Sequence, residues 1–421
     1  MADNRAESRE EWRLHWPLLL AATVGISFCA VPSVTLGLFM QPLQAEFGWS
    51  RTTISLGMAV YALSCMVLSP FAGALVDRFG SRAAAIPGLA LCGLLFSGFS
   101  LMSGVVAMWI VLWVAYSLAS QLIRMVVWNP AVSSAFVINR GIAIAILLSG
   151  MSIASAIAPL LTNWLIETFG WRGAYIGLGI GWTGLSLLLV IPFLKLRKKP
   201  ESLSDQSIGE ETAKPTPGGL NFRDALRSIA IMRIAATCLL VSTLTAAWGV
   251  HMVPIYVSLG VERVIAASMA VIVAVASVVS KLAVGSIADR INSRFLPFFA
   301  MAIPAGGYGL LLSSGGEIAF LIGGALLIGC GSGASLHMVM YLTTQYGGLR
   351  NFGKIYGSVS ALSGLAAGIG PVMAAMIFDM TGNYELFLMA GIPVFILAGL
   401  LVFGLGPFPN FQSTQAKSSP A

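Results

Sequence analysis

Residues 280–294, SKLAVGSIADRINSR, place a lysine inside an apolar run and then end that run in a charged turn. On a helix, Lys281 lies roughly 12 Å deeper than Asp289, which puts it near the middle of a ~30 Å hydrocarbon core. A charge at that depth costs roughly 2.5–3.5 kcal/mol on insertion scales, so an intramembrane lysine is a candidate functional residue.

The rest of the chain has the composition of an integral membrane protein. Its 421 residues are 57% hydrophobic and only 10% charged, and the mean hydropathy is +0.86, whereas soluble domains carry about 25% charged residues. Apolar segments long enough to cross a bilayer occur twelve times. They lie at 16–43, 52–76, 83–103, 107–137, 142–168, 173–195, 229–257, 264–287, 295–313, 317–345, 353–378 and 384–406.

The basic residues predict the orientation of these segments. With both termini in the cytoplasm, Arg51, Arg172 and Arg263 are the basic residues that fall in external loops, Arg124 and Lys281 fall within helices, and the others are cytoplasmic. This asymmetry follows the positive-inside rule, so the net charge of +7 indicates topology and not nucleic-acid binding. We expect a multi-pass protein of the cell (inner) membrane.

An internal repeat divides the chain into two homologous halves. A shift of 212 residues superposes GALVDR at 73–78 on GSIADR at 285–290 and Arg51 on Arg263, and a shift of 213 aligns Arg124 with His337. Parallel repeats of this kind are typical of secondary transporters. The predicted organisation is a cytoplasmic N-terminal tail (1–15), a six-helix bundle (16–195), a cytoplasmic linker (196–228), a second six-helix bundle (229–406) and a cytoplasmic C-terminal tail (407–421).

The repeated turn resembles a known signature. GALVDRFGSR at 73–82 is similar to the loop after the second helix of the major facilitator superfamily, which implies an all-α fold of two pseudo-symmetric six-helix bundles. We interpret the turns as latches that break and re-form as the halves rock, with loop anchoring as the alternative. Replacing Asp77 or Asp289 by Asn should then slow turnover more than it weakens binding. The candidate gating residues here are Gly73, Asp77, Arg78, Arg82, Gly285, Asp289, Arg290 and Arg294.

Other motifs resemble one branch of that superfamily. EFGWSR at 46–51, FGWR at 169–172 and NFGKIYG at 351–357 are similar to the monocarboxylate porters and oxalate:formate antiporters. The resemblance implies that an arginine four residues before the loop glycine binds the substrate carboxylate, and Lys281 stands at that position. Ser277 replaces the aspartate of animal monocarboxylate transporters, and the antiporter's lysine in the middle of the eleventh helix has no counterpart.

The charges predict an anion site. None of the seventeen acidic residues is predicted at mid-membrane depth, whereas Arg124 and Lys281 are. A bound anion is therefore their natural partner, and snorkelling to the cytoplasmic side is the alternative. The candidate substrate-binding residues are Lys281 as the main carboxylate ligand, Arg124 as a second cation, His337 as a polar or titrating contact, and Trp128, Asn129 and Tyr341 as cavity walls or packing residues.

These features predict a secondary active transporter of small organic anions, with monocarboxylates as the first choice. Dicarboxylate or aromatic-acid transport and a non-transporting receptor are the alternatives, and coupling is to protons or by anion exchange. His251, near the external end of the seventh helix, is a candidate gate. The sequence has no zinc-peptidase motif, paired intramembrane carboxylates or phosphate-binding loop, so we expect no enzyme. We expect no cofactor or metal, and a monomer whose partners are the substrate and the lipid bilayer.

Overall fold

The computed structural model describes residues 2–136, 138–194, 218–288, 295–348, 350–406 and 408–409. These residues form fourteen α-helices, interrupted by short 3-10 turns at Phe99–Leu101 and Gln121–Ile123. The helices are α1 (Ala2–Ser27), α2 (Val31–Phe47), α3 (Arg51–Phe79), α4 (Ser81–Gly98), α5 (Val106–Ser120), α6 (Met125–Ala135), α7 (Arg140–Phe193), α8 (Phe222–Arg227), α9 (Ile229–Ser258), α10 (Arg263–Ala288), α11 (Phe295–Leu312), α12 (Ile318–Gly347), α13 (Phe352–Thr381) and α14 (Glu385–Phe403).

The helices account for twelve membrane crossings. Eleven helical segments of the described chain are long and apolar enough to span a bilayer, and one of them, α7, has 54 residues. A straight helix of that length would measure about 80 Å, more than twice the ~30 Å hydrocarbon core. Gly170, with φ of 71°, breaks α7 where the sequence predicts a loop between two helices. The all-α fold with twelve transmembrane helices is confirmed.

The first crossing is longer and less regular than predicted. The helix begins at Ala2, within the predicted tail, and a turn at residues 28–30 separates α1 from α2. Pro32 follows this turn in the first positions of α2. A proline lacks the N–H that would continue the hydrogen-bond ladder, which explains the interruption.

Buried side chains form two cores. One contains residues of α1–α7, and the other contains residues of α8–α14. The cores exchange one residue each where α2 crosses α9, because Leu38 packs with the second core and Val250 with the first. Gly37 permits this close crossing, since a Cβ there would overlap the Val250 carbonyl oxygen.

Among the described residues, three helix pairs make the main packing contacts between the two halves. α3 packs on α13, α10 packs on α7, and α2 packs on α9. The first two pairs are equivalent under the repeat, as expected for pseudo-symmetric bundles. The predicted domain boundaries themselves stay a prediction.

Two names for the ends of the bundle follow the predicted orientation. The predicted external face carries Arg51, Arg172, Arg263 and Asp379, and the predicted cytoplasmic face carries Arg82 and the end of α12. Of the predicted linker, residues 196–217 lie outside the described chain. Its last part is fixed to α12 by the hydrogen bond from the Leu220 N–H to the Gly347 carbonyl, 2.9 Å long.

Candidate functional site

Close packing of α10 on α12 sets the position of Lys281. The two helices run in the same direction, and they touch backbone to backbone at two glycines one turn apart. A Cβ on Gly329 would meet the Val273 carbonyl oxygen at 2.6 Å, and one on Gly333 would overlap the Ser277 carbonyl oxygen. One turn further along both helices, this register brings Lys281 beside His337.

Lys281 is a half-buried cation without a neutralising partner in the described chain. It makes no hydrogen bond or ion pair to the residues that the structure describes, and its side chain is half-buried. The side chain of His337 is exposed and is close enough to Lys281 for an electrostatic interaction. The carbonyl of Gly333, one turn earlier on α12, faces the His337 ring. The two side chains therefore present a positive charge and a polar ring together.

Arg124 occupies a break in the fourth crossing. α5 ends at Ser120, a 3-10 turn follows, and Arg124 has an extended backbone with φ of −76° and ψ of 171° before α6 begins. The break frees the Ile123 carbonyl, which accepts hydrogen bonds from Trp128 Nε1 at 2.6 Å and from the Cys29 thiol at 3.3 Å. These tertiary contacts stabilise the break.

The surroundings of Arg124 are polar but uncharged. Its guanidinium is close enough to Tyr61, Cys65 and Cys29 for electrostatic interactions. The side chain is exposed. No carboxylate forms an ion pair with it among the described residues, where the recorded pair is Glu46 with Arg172. Arg124 is therefore accessible and unneutralised by the described part of the chain.

The other predicted cavity residues have different surroundings. Trp128 is fully buried and packs against Gly25, in addition to its bond to Ile123. Asn129 is half-buried and accepts a hydrogen bond from Ser133 at 3.0 Å. Tyr341 is half-buried, and its ring lies 6.2 Å from that of Phe408. Substrate contact by these three residues stays a prediction.

The predicted latch turns are described in part. Gly73, Asp77 and Gly285 are helical, although the Asp77 side chain lies outside the described part. Asp289, Arg290 and Arg294 also lie outside the described residues. Arg78 is exposed, with its guanidinium 5.2 Å from the Phe79 ring. Arg82 donates to the Leu194 carbonyl at 2.6 Å, which caps the end of α7 within the same half.

A carboxylate joins the halves at the predicted external face. Asp379, near the end of α13, accepts hydrogen bonds from the backbone N–H groups of Arg51 (3.0 Å) and Thr52 (2.8 Å), which begin α3 in the other half. The Thr52 hydroxyl donates to the same carboxylate at 2.6 Å. The first N–H groups of a helix lack intrahelical partners, so this contact satisfies them.

A second connection at this face is the contact of Arg51 with Tyr384, and His251 binds Tyr384 from within the same half. The Arg51 guanidinium donates to the Tyr384 hydroxyl at 2.8 Å and lies 3.4 Å from the centre of the Phe378 ring. The Tyr384 oxygen is 2.7 Å from His251 Nδ1, and His251 Nε2 is 2.8 Å from the Pro371 carbonyl oxygen. His251 is fully buried. Its predicted gating role stays a prediction, and the structure places it within a chain of contacts between the halves.

The residues that the repeat relates to Arg51 and Asp379 also make contacts between the halves. Arg263 donates to the Leu38 carbonyl, and it is close enough to Glu167 for an electrostatic interaction. The 212-residue shift that relates Arg51 to Arg263 also relates Asp379 to Glu167. Sequence reasoning did not single out Asp379 or Tyr384 as functional residues. Under the 212-residue shift, both halves have a basic residue and an acidic residue at equivalent positions. That pattern is a signal that could have identified Asp379.

Comparison with known proteins places this arrangement in a family. The family model of the Major Facilitator Superfamily matches residues 20–344. A crystal structure of a bacterial homolog of the human lysosomal transporter Spinster, in an inward-facing and unoccupied conformation, has the same fold. Its TM-score is 0.68 at 15% sequence identity, and the match covers 92% of this chain and 93% of that chain.

Curated relatives narrow the position within the superfamily. Monocarboxylate transporter 6 of Mus musculus is 25% identical over 438 residues, covering 96% of this chain and 88% of the relative. Monocarboxylate transporter 13 of Bos taurus is 27% identical, and the match covers 87% of this chain and 81% of the relative. The chain therefore belongs to the Major Facilitator Superfamily, as a multi-pass membrane transporter related to the monocarboxylate transporters and not as an enzyme.

Proposed function

We propose that the protein is a secondary active transporter of small organic anions, with monocarboxylates as its first substrates. The observation that carries this proposal is Lys281, a half-buried cation with no carboxylate partner in the described chain. A buried charge is costly unless it is paired, so a carboxylate entering from water supplies what the protein does not. His337 lies beside it and adds a polar contact.

The relatives support a carboxylate over other anions. Two of them are named monocarboxylate transporters, and they align with most of this chain. Lys281 presents a point charge in place of the planar fork of an arginine, and it binds one carboxylate oxygen at a time. Arg124 is a second, accessible cation, which keeps dicarboxylates and aromatic acids as the alternative substrates.

We assign the structure to the state that is closed at the predicted external face. The contacts of Asp379 with α3 and of Arg51 with Tyr384 hold the two halves together there. In alternating access these bonds break when the halves rock about the central site. Protons and exchanging anions are the candidate coupling partners.

Three further expectations stay predictions: the monomeric state, the inner-membrane location and the cytoplasmic position of both termini.

Uptake by the purified protein in proteoliposomes tests the proposal. We expect saturable uptake of labelled monocarboxylate by the wild type and its loss in Lys281→Gln. The matched control is Lys354→Gln, which removes an exposed lysine at the start of α13, and it should transport normally. Wild-type uptake by Lys281→Gln would refute the assignment of Lys281. The absence of flux with any carboxylate in the wild type would favour the receptor alternative.

A further inference from the structure

The hydrogen bonds of His251 fix which ring nitrogen carries its proton. Nε2 is 2.8 Å from the Pro371 carbonyl oxygen, which can only accept a hydrogen bond, so Nε2 is the donor. Nε2 is also 3.4 Å from the Ser55 hydroxyl oxygen on α3. In a neutral ring the other nitrogen, Nδ1, is then an acceptor, and the Tyr384 hydroxyl donates to it at 2.7 Å.

The direction of this bond extends into the other half. A tyrosine hydroxyl has one hydrogen to donate, and Tyr384 uses it on Nδ1. Its oxygen is then free to accept from the Arg51 guanidinium at 2.8 Å. Among the described residues, the hydroxyl of Tyr384 has hydrogen bonds with these two partners and no other. When His251 is neutral, each donor in the series Arg51, Tyr384, His251 and Pro371 therefore faces an acceptor.

A second proton on His251 is incompatible with this series of hydrogen bonds. If Nδ1 carries a hydrogen, two donors face each other across the 2.7 Å contact with Tyr384. The Tyr384 oxygen cannot accept from Nδ1 and Arg51 and still place its own hydrogen on a described partner. The imidazolium also adds a positive charge near Arg51.

Other charges around His251 do not remove the conflict. The charged or titratable groups that interact with the ring are Arg51 on α3, Asp379 on α13 and Tyr384 at the start of α14. Asp379 already accepts three hydrogen bonds from Arg51 and Thr52. In the described parts of α2, α10 and α12, which also pack on α9, no charged group is recorded facing the ring.

We infer that His251 is the proton switch of the closure at the predicted external face. Neutral His251 accepts the hydrogen of Tyr384 and leaves the Tyr384 oxygen free to accept from Arg51, which is the contact that joins the halves. When Nδ1 takes a proton, Nδ1–H and Arg51 compete for that oxygen and the imidazolium repels the guanidinium. The Arg51 contact then breaks, the Nε2–H bond to Pro371 remains, and the face opens towards the central site. Reclosing releases that proton. The role of the switch in transport rests on the proposed function, whereas the switch itself is a property of the empty protein.

A distance measurement without substrate tests the switch. The five native cysteines are replaced by serine, and spin labels are attached to Ala45→Cys at the end of α2 and Ser258→Cys at the end of α9. Both positions are exposed and belong to opposite halves. Double electron–electron resonance is recorded on the protein in lipid nanodiscs at about pH 8 and about pH 5.5, on either side of the usual histidine range. We expect a shift to longer distances at the lower pH.

Two variants separate His251 from its acidic neighbour. In His251→Gln the amide can donate to Pro371 and accept from Tyr384 but does not titrate, so the distance should stay short at both pH values. Asp379→Asn keeps the histidine and should retain a pH-dependent shift, on top of the greater opening expected of that variant at both pH values. Two results would overturn the inference. One is a pH-dependent change of the label distance in His251→Gln equal to that of the wild type, and the other is a wild-type distance that is the same at both pH values.

A further variant and assay cover the remaining outcomes. If His251→Gln does not fold, Tyr384→Phe decides, because removing the hydroxyl removes the oxygen for which protonated His251 and Arg51 compete. Its pH shift should be smaller than that of the wild type, and an equal shift counts against the switch. Carboxylate uptake is measured in parallel on the wild type. A pH-dependent distance without uptake would refute the proposed function and leave the switch, and uptake without a distance change would do the reverse.

Discussion

Asp379 near the end of α13 accepts a hydrogen bond from the backbone N–H of Arg51, the first residue of α3, across the boundary between the two halves. Its other oxygen accepts from the N–H of Thr52. The N–H of Thr53 is satisfied locally by the Ser50 side chain, 3.1 Å away. The start of α3 thus depends on both halves for its capping, so separating the halves exposes N–H groups that have no partner within the helix.

Replacing Asp379 by Asn should loosen the predicted external face. An amide is a weaker acceptor than a carboxylate, and hydrogen bonds to charged groups contribute about 1.5–3 kcal/mol. Because Asp379 is exposed, we expect a smaller effect, about a threefold to tenfold rise in opening. Opening is measured as the rate at which a water-soluble thiol reagent labels Ser55→Cys, a site fully buried between the halves. Glu385→Gln, an exposed acid of the same face, is the control, and an equal rise in that variant would contradict the assignment.

Gly333→Ala should disturb the pairing of Lys281 with His337. The added methyl group would overlap the Ser277 carbonyl oxygen, so α10 and α12 must move apart. Such overpacking costs about 1–3 kcal/mol. We expect a lower melting temperature and weaker carboxylate binding.

Gly364→Ala provides the control for that substitution. It makes the same change on α13, where the new Cβ has no neighbour within 4 Å. Both variants are compared by thermal unfolding in detergent with and without a carboxylate ligand. If Gly333→Ala binds as the wild type does, the glycine contact does not position the site.

Several features of the fold and the site follow from the sequence alone. The twelve crossings, the repeat and the mid-helix position of Lys281 come from the hydropathy and the spacing of residues, which the membrane constrains strongly. The pairing of Lys281 with His337 depends on which glycines of α12 touch α10. That register is a tertiary property, so the sequence predicts a common site for the two residues but not their proximity along α10 and α12.

The helix break before Arg124 is not predicted by the sequence, for a different reason. The sequence predicts one helix over 107–137, and residues 121–124 contain neither glycine nor proline. The break is stabilised by donors from Trp128 and from Cys29, which is 94 residues earlier than Ile123 in the chain. Local propensity carries no information about such a partner.

Trp128→Phe should therefore destabilise the N-terminal half. Phenylalanine preserves most of the packing against Gly25 but lacks the Nε1–H donor, which leaves the Ile123 carbonyl with the weak thiol donor of Cys29. An unsatisfied buried acceptor costs about 1–3 kcal/mol. We expect thermal unfolding at a lower temperature than in Trp164→Phe, which alters an exposed tryptophan of α7. Equal melting temperatures in the two variants would show that the bond is not needed to hold the break.

Arg124→Gln should distinguish two classes of substrate. If Lys281 binds one carboxylate and Arg124 a second, the loss of the guanidinium weakens a dicarboxylate more than a monocarboxylate of equal length. A charge-assisted contact contributes about 1.5–3 kcal/mol, which corresponds to a tenfold or greater rise in Kd. Malonate and propionate are the matched probes, and their Kd values are measured by ligand-induced thermal stabilisation. Arg227→Gln, an exposed arginine of α8, is the control and should leave both values unchanged. An unchanged Kd for malonate in Arg124→Gln would mean that Arg124 snorkels, and that the site holds a single carboxylate at Lys281.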